Sequence, residues 1–253
     1  MVTESTSPGA LLDDSSGEKF AFLIETRIIP NAIPLILHFS AVLGPSWQII
    51  FYTMESEWSM PASIPFRRAI DEHRVQVRYL PSDTNFTTHN AVSEFLTRPW
   101  LWEQFQDAYR VLLFQTDSII CANSERTVEE FLQYDFVGAP INPAHGRGFN
   151  GGLSIRNPRL MLDITKNETF TFMDDFKSGR QFLQYEDQWF YTKLLELGTA
   201  NIPSDEIAGR FCSETIYYET PLGYHQPQRW HSDHMEELQR HCPEIGMLIG
   251  NRY

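Results

Sequence analysis

The sequence predicts an α/β fold in which a mostly parallel central sheet is flanked by helices. Two observations support this prediction. Short apolar segments at residues 20–24 and 110–114 are typical of strands that are buried on both faces. Between them, residues 30–43 carry apolar side chains at helical spacing and end at Gly44-Pro45. Alternation of strand and helix along the chain favours parallel strands joined by helical connections.

The other elements follow in chain order from the same patterns. Further strands are predicted at residues 47–52, 75–80, 136–140 and 153–156. Further helices are predicted at residues 66–72, 90–109 with an interruption near Pro99, 127–133, 158–164 and 186–197. Residues 1–18 are rich in Ser, Asp, Gly and Pro and are predicted to be a disordered tail. Residues 19–253 contain no repeat or linker, so we predict one domain, irregular from residue 203 onward.

The charge balance bears on the partners of this protein. Its 253 residues include 20 Lys and Arg against 33 Asp and Glu, which gives a formal net charge of −13. Proteins that bind the backbone of DNA or RNA present basic surfaces to phosphate, so no nucleic-acid partner is expected. An acidic protein that binds an anionic nucleotide usually recruits a cation, and this is a first indication of a metal.

The three cysteines, Cys121, Cys212 and Cys242, lie far apart and form no C-x-x-C pair, which argues against a disulfide framework or a zinc site. Cys121 is expected to be a small buried hydrophobic residue. The polar N-terminus shows no signal peptide, and no window approaches the roughly 18 apolar residues of a membrane span. We therefore predict a cytoplasmic protein without a membrane span. The alternative is the secretory lumen, behind an upstream anchor, where the sequons at Asn85 and Asn167 would matter.

Gln115, Thr116, Asp117 and Ser118 directly follow the apolar strand at residues 110–114. Functional groups in parallel α/β sheets gather at the carboxyl ends of the strands. Because Asp and Ser also cap helices, the tetrapeptide is either a cap or a ligand for something in the cleft. A diphosphate held by Mg²⁺ or Mn²⁺ needs only one or two hard oxygen ligands from the protein, and Asp117 would supply one.

A glycine-rich loop is predicted at residues 142–152, and Gly146, Gly148 and Gly151 spell G-x-G-x-x-G within it. The loop leads into a strand instead of joining a strand to a helix, so a dinucleotide-binding fold is rejected. No Gly-Lys-Ser/Thr follows, which also excludes a Walker phosphate loop. What remains is a turn that lets the backbone approach a sugar or phosphate closely, or a plain flexible loop.

Two further segments carry titratable groups. Glu186 and Asp187 open a predicted helix, where they either stabilise its N-terminus or provide a general base for an acceptor hydroxyl. His225 lies in a segment framed by Gly and Pro. It is either a surface residue or a metal ligand that completes a shell begun by Asp117.

These segments occur in an order that resembles the GT-A-type glycosyltransferases. More narrowly, the order is similar to a family common in fungi that is labelled a domain of unknown function. The resemblance covers nearly all of residues 20–230 and implies a GT-A-like, Rossmann-like nucleotide-binding domain with an appended acceptor half. The segments that carry it are, in order, Glu25-Thr26-Arg27, Gln115-Thr116-Asp117-Ser118, Asn150-Gly151-Gly152, Glu186-Asp187 and Pro221-Leu222-Gly223-Tyr224-His225.

For the donor, the resemblance implies two groups of contacts. The residues near the nucleotide base and ribose would be Glu25, Thr26 and Arg27. The residues that border the donor sugar and the acceptor would be Asn150, Gly151 and Gly152.

For the chemistry, the resemblance implies a metal site and a base. Asp117 and His225 would bind a divalent metal, Mn²⁺ or Mg²⁺. Gln115 stands where the first acid of the D-x-D motif is expected, and an amide is a poorer metal ligand than a carboxylate. Asp187, next to Glu186, matches the aspartate that acts as the base in inverting relatives.

The predicted function is metal-assisted transfer of a hexose from a UDP- or GDP-sugar to a hydroxyl group, with inversion. Arg27 or Arg156 would offset the charge that builds on the departing diphosphate. The acceptor is a small molecule, such as a natural product, or a glycan. Two alternatives remain. A nucleotidyltransferase would need a glycine-rich loop after the first strand, and residues 25–30 contain no glycine. A catalytically inactive sugar- or nucleotide-binding protein is favoured by Gln115.

Overall fold

The computed structural model describes residues 18–27, 29–167, 171–179 and 185–248. The strands in these ranges are β1 (Lys19–Ile24), β2 (Trp47–Thr53), β3 (Val75–Tyr79), β4 (Arg110–Phe114), β5 (Ser118–Ile120), β6 (Phe136–Pro140), β7 (Phe149–Arg156), β8 (Cys212–Ser213) and β9 (Gly223–His225). The helices are α1 (Ala32–Leu43), α2 (Ile64–Asp71), α3 (His89–Leu96), α4 (Pro99–Glu103), α5 (Pro158–Thr165), α6 (Phe172–Lys177), α7 (Glu186–Leu197), α8 (Asp205–Phe211), α9 (Pro227–Trp230) and α10 (Met235–His241).

Six strands form a central sheet in the order β3-β2-β1-β4-β7-β6. β1 pairs in parallel with β2 and β4, and β2 pairs in parallel with β3. β7 runs antiparallel to both β4 and β6, so β6 points in the same direction as the first four strands. Helices such as α1 and α7 pack against this sheet. The predicted α/β fold with a mostly parallel central sheet is therefore confirmed.

Local sequence explains where the helices begin. The side chains of Ser63, Thr88 and Asn157 each accept a backbone N–H at the N-terminus of α2, α3 and α5. Such caps satisfy the first donors of a helix, which have no partner within it. Pro99 begins α4, so the interruption predicted near this residue separates α3 from α4.

The glycine-rich loop is shorter than predicted, because β7 begins at Phe149 rather than at Leu153. Asn150, Gly151 and Gly152 therefore belong to a strand in the central sheet. Their pairing with β6 shifts register between Val137 and Ala139, which marks a bulge beside this segment. Glycines are uncommon inside strands, and this explains why the pattern predicted a loop here.

A second, three-stranded sheet in the order β5-β9-β8 lies at the carboxyl end of β4. β5 pairs antiparallel with β9, and this pairing places Ser118 opposite His225. The prediction that residues from 203 onward are irregular is wrong, since residues 203–248 contain two strands, three α-helices and two 3-10 helices. These strands have two or three residues each, too few for a periodic pattern in the sequence.

The argument against a disulfide is wrong for two of the three cysteines, although Cys121 is buried as expected. Cys121, directly after β5, forms a disulfide with Cys242, directly after α10, and their Cα atoms are 4.8 Å apart. Cys212 is a buried free cysteine. Because the two bonded cysteines are 121 residues apart, their pairing depends on the fold and leaves no spacing signature.

Two predictions concern the ends of the chain. The predicted disordered tail, residues 1–18, lies outside the described residues except for Glu18. The assignment of residues 19–253 to one domain stays a prediction. Within the described ranges, none of the helices combines the length and the apolar character that crossing a membrane requires.

Candidate active site

Residues 115–118 form a tight turn between β4 and β5. The Gln115 N–H donates to Ser118 Oγ at 3.1 Å, and this hydroxyl donates back to the Gln115 carbonyl oxygen at 2.8 Å. Because a strand follows the turn, the helix-cap alternative for this tetrapeptide is wrong. The turn holds Asp117 at the carboxyl end of β4, the edge at which α/β sheets bind their ligands.

Asp117 lies beside His225, as the metal hypothesis requires. His225 Nε2 is 3.2 Å from Asp117 Oδ1, and its other ring nitrogen, Nδ1, is 3.1 Å from Glu214 Oε1. Gln226 donates from Nε2 to the second oxygen of Asp117, Oδ2, at 2.8 Å. His225 is 3% exposed, so the surface alternative for this residue is wrong.

The two acids set the protonation of the imidazole. Burial alone would lower the pKa of His225, but Asp117 and Glu214 together raise it to about 10. Burial alone would raise the pKa of Asp117, but the charge and hydrogen bond of His225 and the amide of Gln226 hold it below its ordinary value. Asp117 and Glu214 therefore favour the protonated form of the His225 ring when no cation is bound.

Gly151 and Gly152 let two side chains approach the backbone of β7 closely. A Cβ atom on Gly152 would fall on the His225 imidazole. A Cβ atom on Gly151 would fall on the Arg156 guanidinium and would crowd Glu186 and Asp187. Because consecutive strand residues face opposite sides of a sheet, His225 packs on one side of β7 and the Glu186–Asp187 pair on the other.

Asp187 lies at the start of α7 and is 6% exposed. Its Oδ2 accepts the Gly151 N–H at 2.9 Å, and its Oδ1 accepts the Gln188 N–H at 2.7 Å. Burial and the neighbouring Glu186 carboxylate raise the pKa of Asp187 to about 7, against the lowering effect of these N–H donors and of Arg156. A carboxyl with this pKa exchanges its proton near neutral pH.

Glu186 and Arg156 form a buried ion pair behind Asp187. Arg156 Nη2 is 2.9 Å from Glu186 Oε1, and the Arg156 side chain is 0% exposed. Its guanidinium lies over the rings of Trp102, Phe136 and Phe190. This enclosed position and the ion pair with Glu186 argue against the expectation that Arg156 offsets diphosphate charge.

The segment after β1 adjoins the same edge of the sheet. Burial raises the pKa of Glu25. Arg27 opposes this shift, and the negative charge of Asp117 adds a smaller rise. Arg27 Nε is 3.9 Å from Glu25 Oε1, and the Arg27 side chain is 71% exposed. Thr26 is half-buried between them. The segment predicted to face the nucleotide thus lies within electrostatic range of Asp117.

Sequence reasoning missed two residues of this site, Glu214 and Gln226. Glu214 is 4% exposed, holds His225 from behind, and lies in a segment with no recognisable motif. Its contact with His225 depends on the pairing of β8 with β9, which no local sequence pattern indicates. Gln226 directly follows His225, and this adjacency is the one signal that could have identified it.

The residues present fit a divalent cation that is shared with a diphosphate. Asp117 Oδ1 and His225 Nε2 converge, and Glu214 on Nδ1 gives the histidine the carboxylate partner that metal-binding imidazoles usually have. Within the described ranges, no cluster of three or more His, Cys, Asp or Glu could hold a metal. Two protein ligands suffice when phosphate oxygens and water complete the shell. Gln115, two residues before Asp117, offers only an amide.

The chain matches one protein-family model but no curated protein. A family model described as "Protein of unknown function (DUF5672)" matches residues 74–225, a range that contains Asp117, Asp187 and His225 but not Glu25. A comparison with curated proteins finds no match.

Solved structures extend the likeness to most of the chain. The chain is similar to the apo form of the glycosyltransferase GlyE from Streptococcus pneumoniae, with 12% identity and a TM-score of 0.52, over 83% of this chain and 54% of GlyE. A second GlyE structure gives 14% identity and a TM-score of 0.49, over 82% of this chain and 55% of GlyE. The chain thus spans about half the length of GlyE. At this identity, the likeness shows a shared fold.

Proposed function

The chain belongs to the DUF5672 family, and we propose that it is a glycosyltransferase that moves a hexose from a UDP- or GDP-sugar to an acceptor hydroxyl. The observation that carries the proposal is the placement of two chemically different groups at consecutive residues of β7. His225, the partner of Asp117, packs against Gly152, and Asp187 accepts the N–H of Gly151. A fold shared with GlyE supports the same reading.

The donor would bind where Asp117 and His225 converge. These two residues would hold a Mn²⁺ or Mg²⁺ ion, which would supply positive charge to the diphosphate leaving group. Glu25, Thr26 and Arg27 would lie toward the base and ribose, since Glu25 senses the charge of Asp117. Arg27, being exposed, remains the candidate to move onto phosphate.

Asp187 would take the proton from the acceptor hydroxyl. Each carboxylate oxygen has two lone pairs, so the N–H donors of Gly151 and Gln188 fix the group and leave acceptor capacity. A pKa of about 7 matches a base that works near neutral pH. Direct displacement would then invert the anomeric centre. Asn150, whose Oδ1 accepts the Gly152 N–H at 2.7 Å, would border the sugar.

Glu186 would act indirectly, since it is held in a buried ion pair with Arg156. Its negative charge keeps the pKa of Asp187 high. The two adjacent acids would therefore have different roles. Glu186 would pair with Arg156, and Asp187 would exchange a proton.

A scan of UDP- and GDP-hexoses with Mn²⁺, which measures release of the nucleoside diphosphate, tests the proposal. We expect at least one donor to be hydrolysed or transferred, and Asp187→Asn to lower the rate by about 10²-fold or more while nucleotide affinity is kept. Asp205→Asn, at the N-terminus of α8, is the matched control for loss of an acid that only stabilises a helix. No turnover with any donor would favour a binding protein, the reading that Gln115 supports.

The disulfide bears on where the protein works. Disulfides persist in oxidising compartments and are rare in the cytosol. The Cys121–Cys242 bond therefore supports the secretory lumen over the cytoplasm as the proposed location. In that compartment the sequon at Asn85, an exposed residue between β3 and α3, would be open to glycosylation. The acceptor would then be a glycan or a small molecule of the same lumen.

A further inference from the structure

Gln226 has an unusual backbone conformation. Its φ is 48° and its ψ is 45°, in the left-handed region. In the described part of the chain, the only other non-glycine residue with a positive φ is His73, at 57°. Non-glycine residues rarely adopt this conformation without a local reason, and such residues concentrate at functional sites.

The contacts of Gln226 supply a reason. Its backbone N–H donates to the Asp117 carbonyl oxygen at 2.9 Å, and its side-chain Nε2 donates to Asp117 Oδ2 at 2.8 Å. Its own Oε1 accepts a hydrogen bond from Arg229 Nη1 at 3.1 Å. Because Arg229 can only donate, it fixes which end of the amide faces Asp117. Gln226 therefore donates hydrogen bonds to both the main chain and the side chain of Asp117.

These contacts give the two carboxylate oxygens of Asp117 different partners. Oδ2 is occupied by the amide, while Oδ1 faces His225 Nε2 at 3.2 Å. The amide is neutral, so it neither repels a cation, as an arginine or lysine would, nor competes for it, as a carboxylate would. We propose that Gln226 is a positioning residue that presents Asp117 to the divalent cation through Oδ1 alone. This inference rests on the proposed function.

The test uses Gln226→Gly in the full chain, with the affinity for Mn²⁺ in the presence of UDP measured by electron paramagnetic resonance and calorimetry. Glycine adopts the left-handed backbone without strain, so the melting temperature should be equal or higher. Loss of the amide should weaken Mn²⁺ affinity about 10- to 100-fold, the usual effect of removing a partner that orients a metal ligand. A merely structural residue would not combine these two results.

His73→Gly is the matched control. It relieves the same backbone conformation just before the amino end of β3, whereas Asp117 follows the carboxyl end of β4. This variant should therefore leave Mn²⁺ affinity unchanged. Gln226→Asn is the second variant. Asparagine tolerates the left-handed region but is one methylene too short to keep the contact, so it should lose affinity like the glycine variant.

The outcomes separate this inference from the proposed function. If the unmodified protein binds no Mn²⁺ with UDP or with GDP, the proposed metal-assisted function fails. If it binds and Gln226→Gly binds equally well, only the positioning role is overturned. A lowered melting temperature that accompanies the affinity loss in both variants would also overturn it, since Gln226 would then serve the fold.

Discussion

At the scale of single residues, the site depends on charges that the fold holds in place. His225 is enclosed between Asp117 and Glu214, and Asp187 is enclosed with a second acid beside it. Motif order singled out Asp117, Asp187 and His225, and the structure places Asp117 beside His225. Motif order could not predict Glu214, because its contact with His225 arises only when β8 pairs with β9.

Asp187 predicts a pH dependence of stability. Its folded-state pKa, about 7, lies above the value of 3.8 expected for an unfolded chain, so the folded form binds the proton more tightly. The stability that this contributes is fully present below about pH 4 and is lost as the pH rises through about 7. Asp187→Asn removes this loss. Its melting temperature relative to wild type should therefore increase between pH 4 and pH 8, by about 2–4 °C for each 1 kcal/mol.

Thermal unfolding of both proteins over this pH range measures the difference. Asp205→Asn, which removes an exposed charge at a helix N-terminus, should show no rise in melting temperature relative to wild type over this range. If the difference in melting temperature between Asp187→Asn and wild type stays constant or falls as the pH rises, Asp187 is ionised at low pH. That result would contradict its match to a base that works near neutral pH.

At the scale of elements, β7 organises the site. Periodicity predicted β1, β2, β4 and most helices, because buried strands and amphipathic helices leave long patterns. It missed the first half of β7, where glycines replace the usual strand residues, and it missed β5, β8 and β9, which are too short. The missed strands are those that bring His225 to Asp117. The spatial arrangement of the site was therefore harder to predict than the identity of its residues.

Gly152→Ala tests whether the close approach to β7 matters. The added methyl would overlap the His225 ring and push it from Asp117, so we expect a tenfold or larger loss of Mn²⁺ affinity. Gly246→Ala is the matched control, because a Cβ there has no atom within 4 Å. Wild-type affinity in the Gly152 variant would show that the imidazole is free to relocate without harm to the site.

At the scale of the whole molecule, the disulfide links the site to the end of the described chain. Cys121 follows β5, the strand that starts at the Asp117 turn, and Cys242 follows α10. The bond thus ties the small sheet that carries His225 to the C-terminal helices. The sequence offered three isolated cysteines and no means of choosing a pair.

Protein produced in an oxidising compartment should contain one alkylatable thiol, Cys212, when it is unfolded without reductant, and three after reduction. Cys121→Ser should destabilise the fold by about 2–4 kcal/mol, because the bond restricts the unfolded chain. Cys212→Ala should leave the effect of reductant unchanged. Alkylation of Cys121 and Cys242 in the unreduced protein would contradict the pairing.

The central claim is that Asp117 and His225 hold a divalent cation on a nucleotide diphosphate. A crystal soaked with UDP and Mn²⁺ tests it most directly, through the anomalous scattering of manganese. The account predicts a manganese peak bonded to both Asp117 and His225, with the diphosphate completing its shell and the uridine toward Glu25. UDP bound elsewhere, or manganese that contacts neither residue, would contradict it.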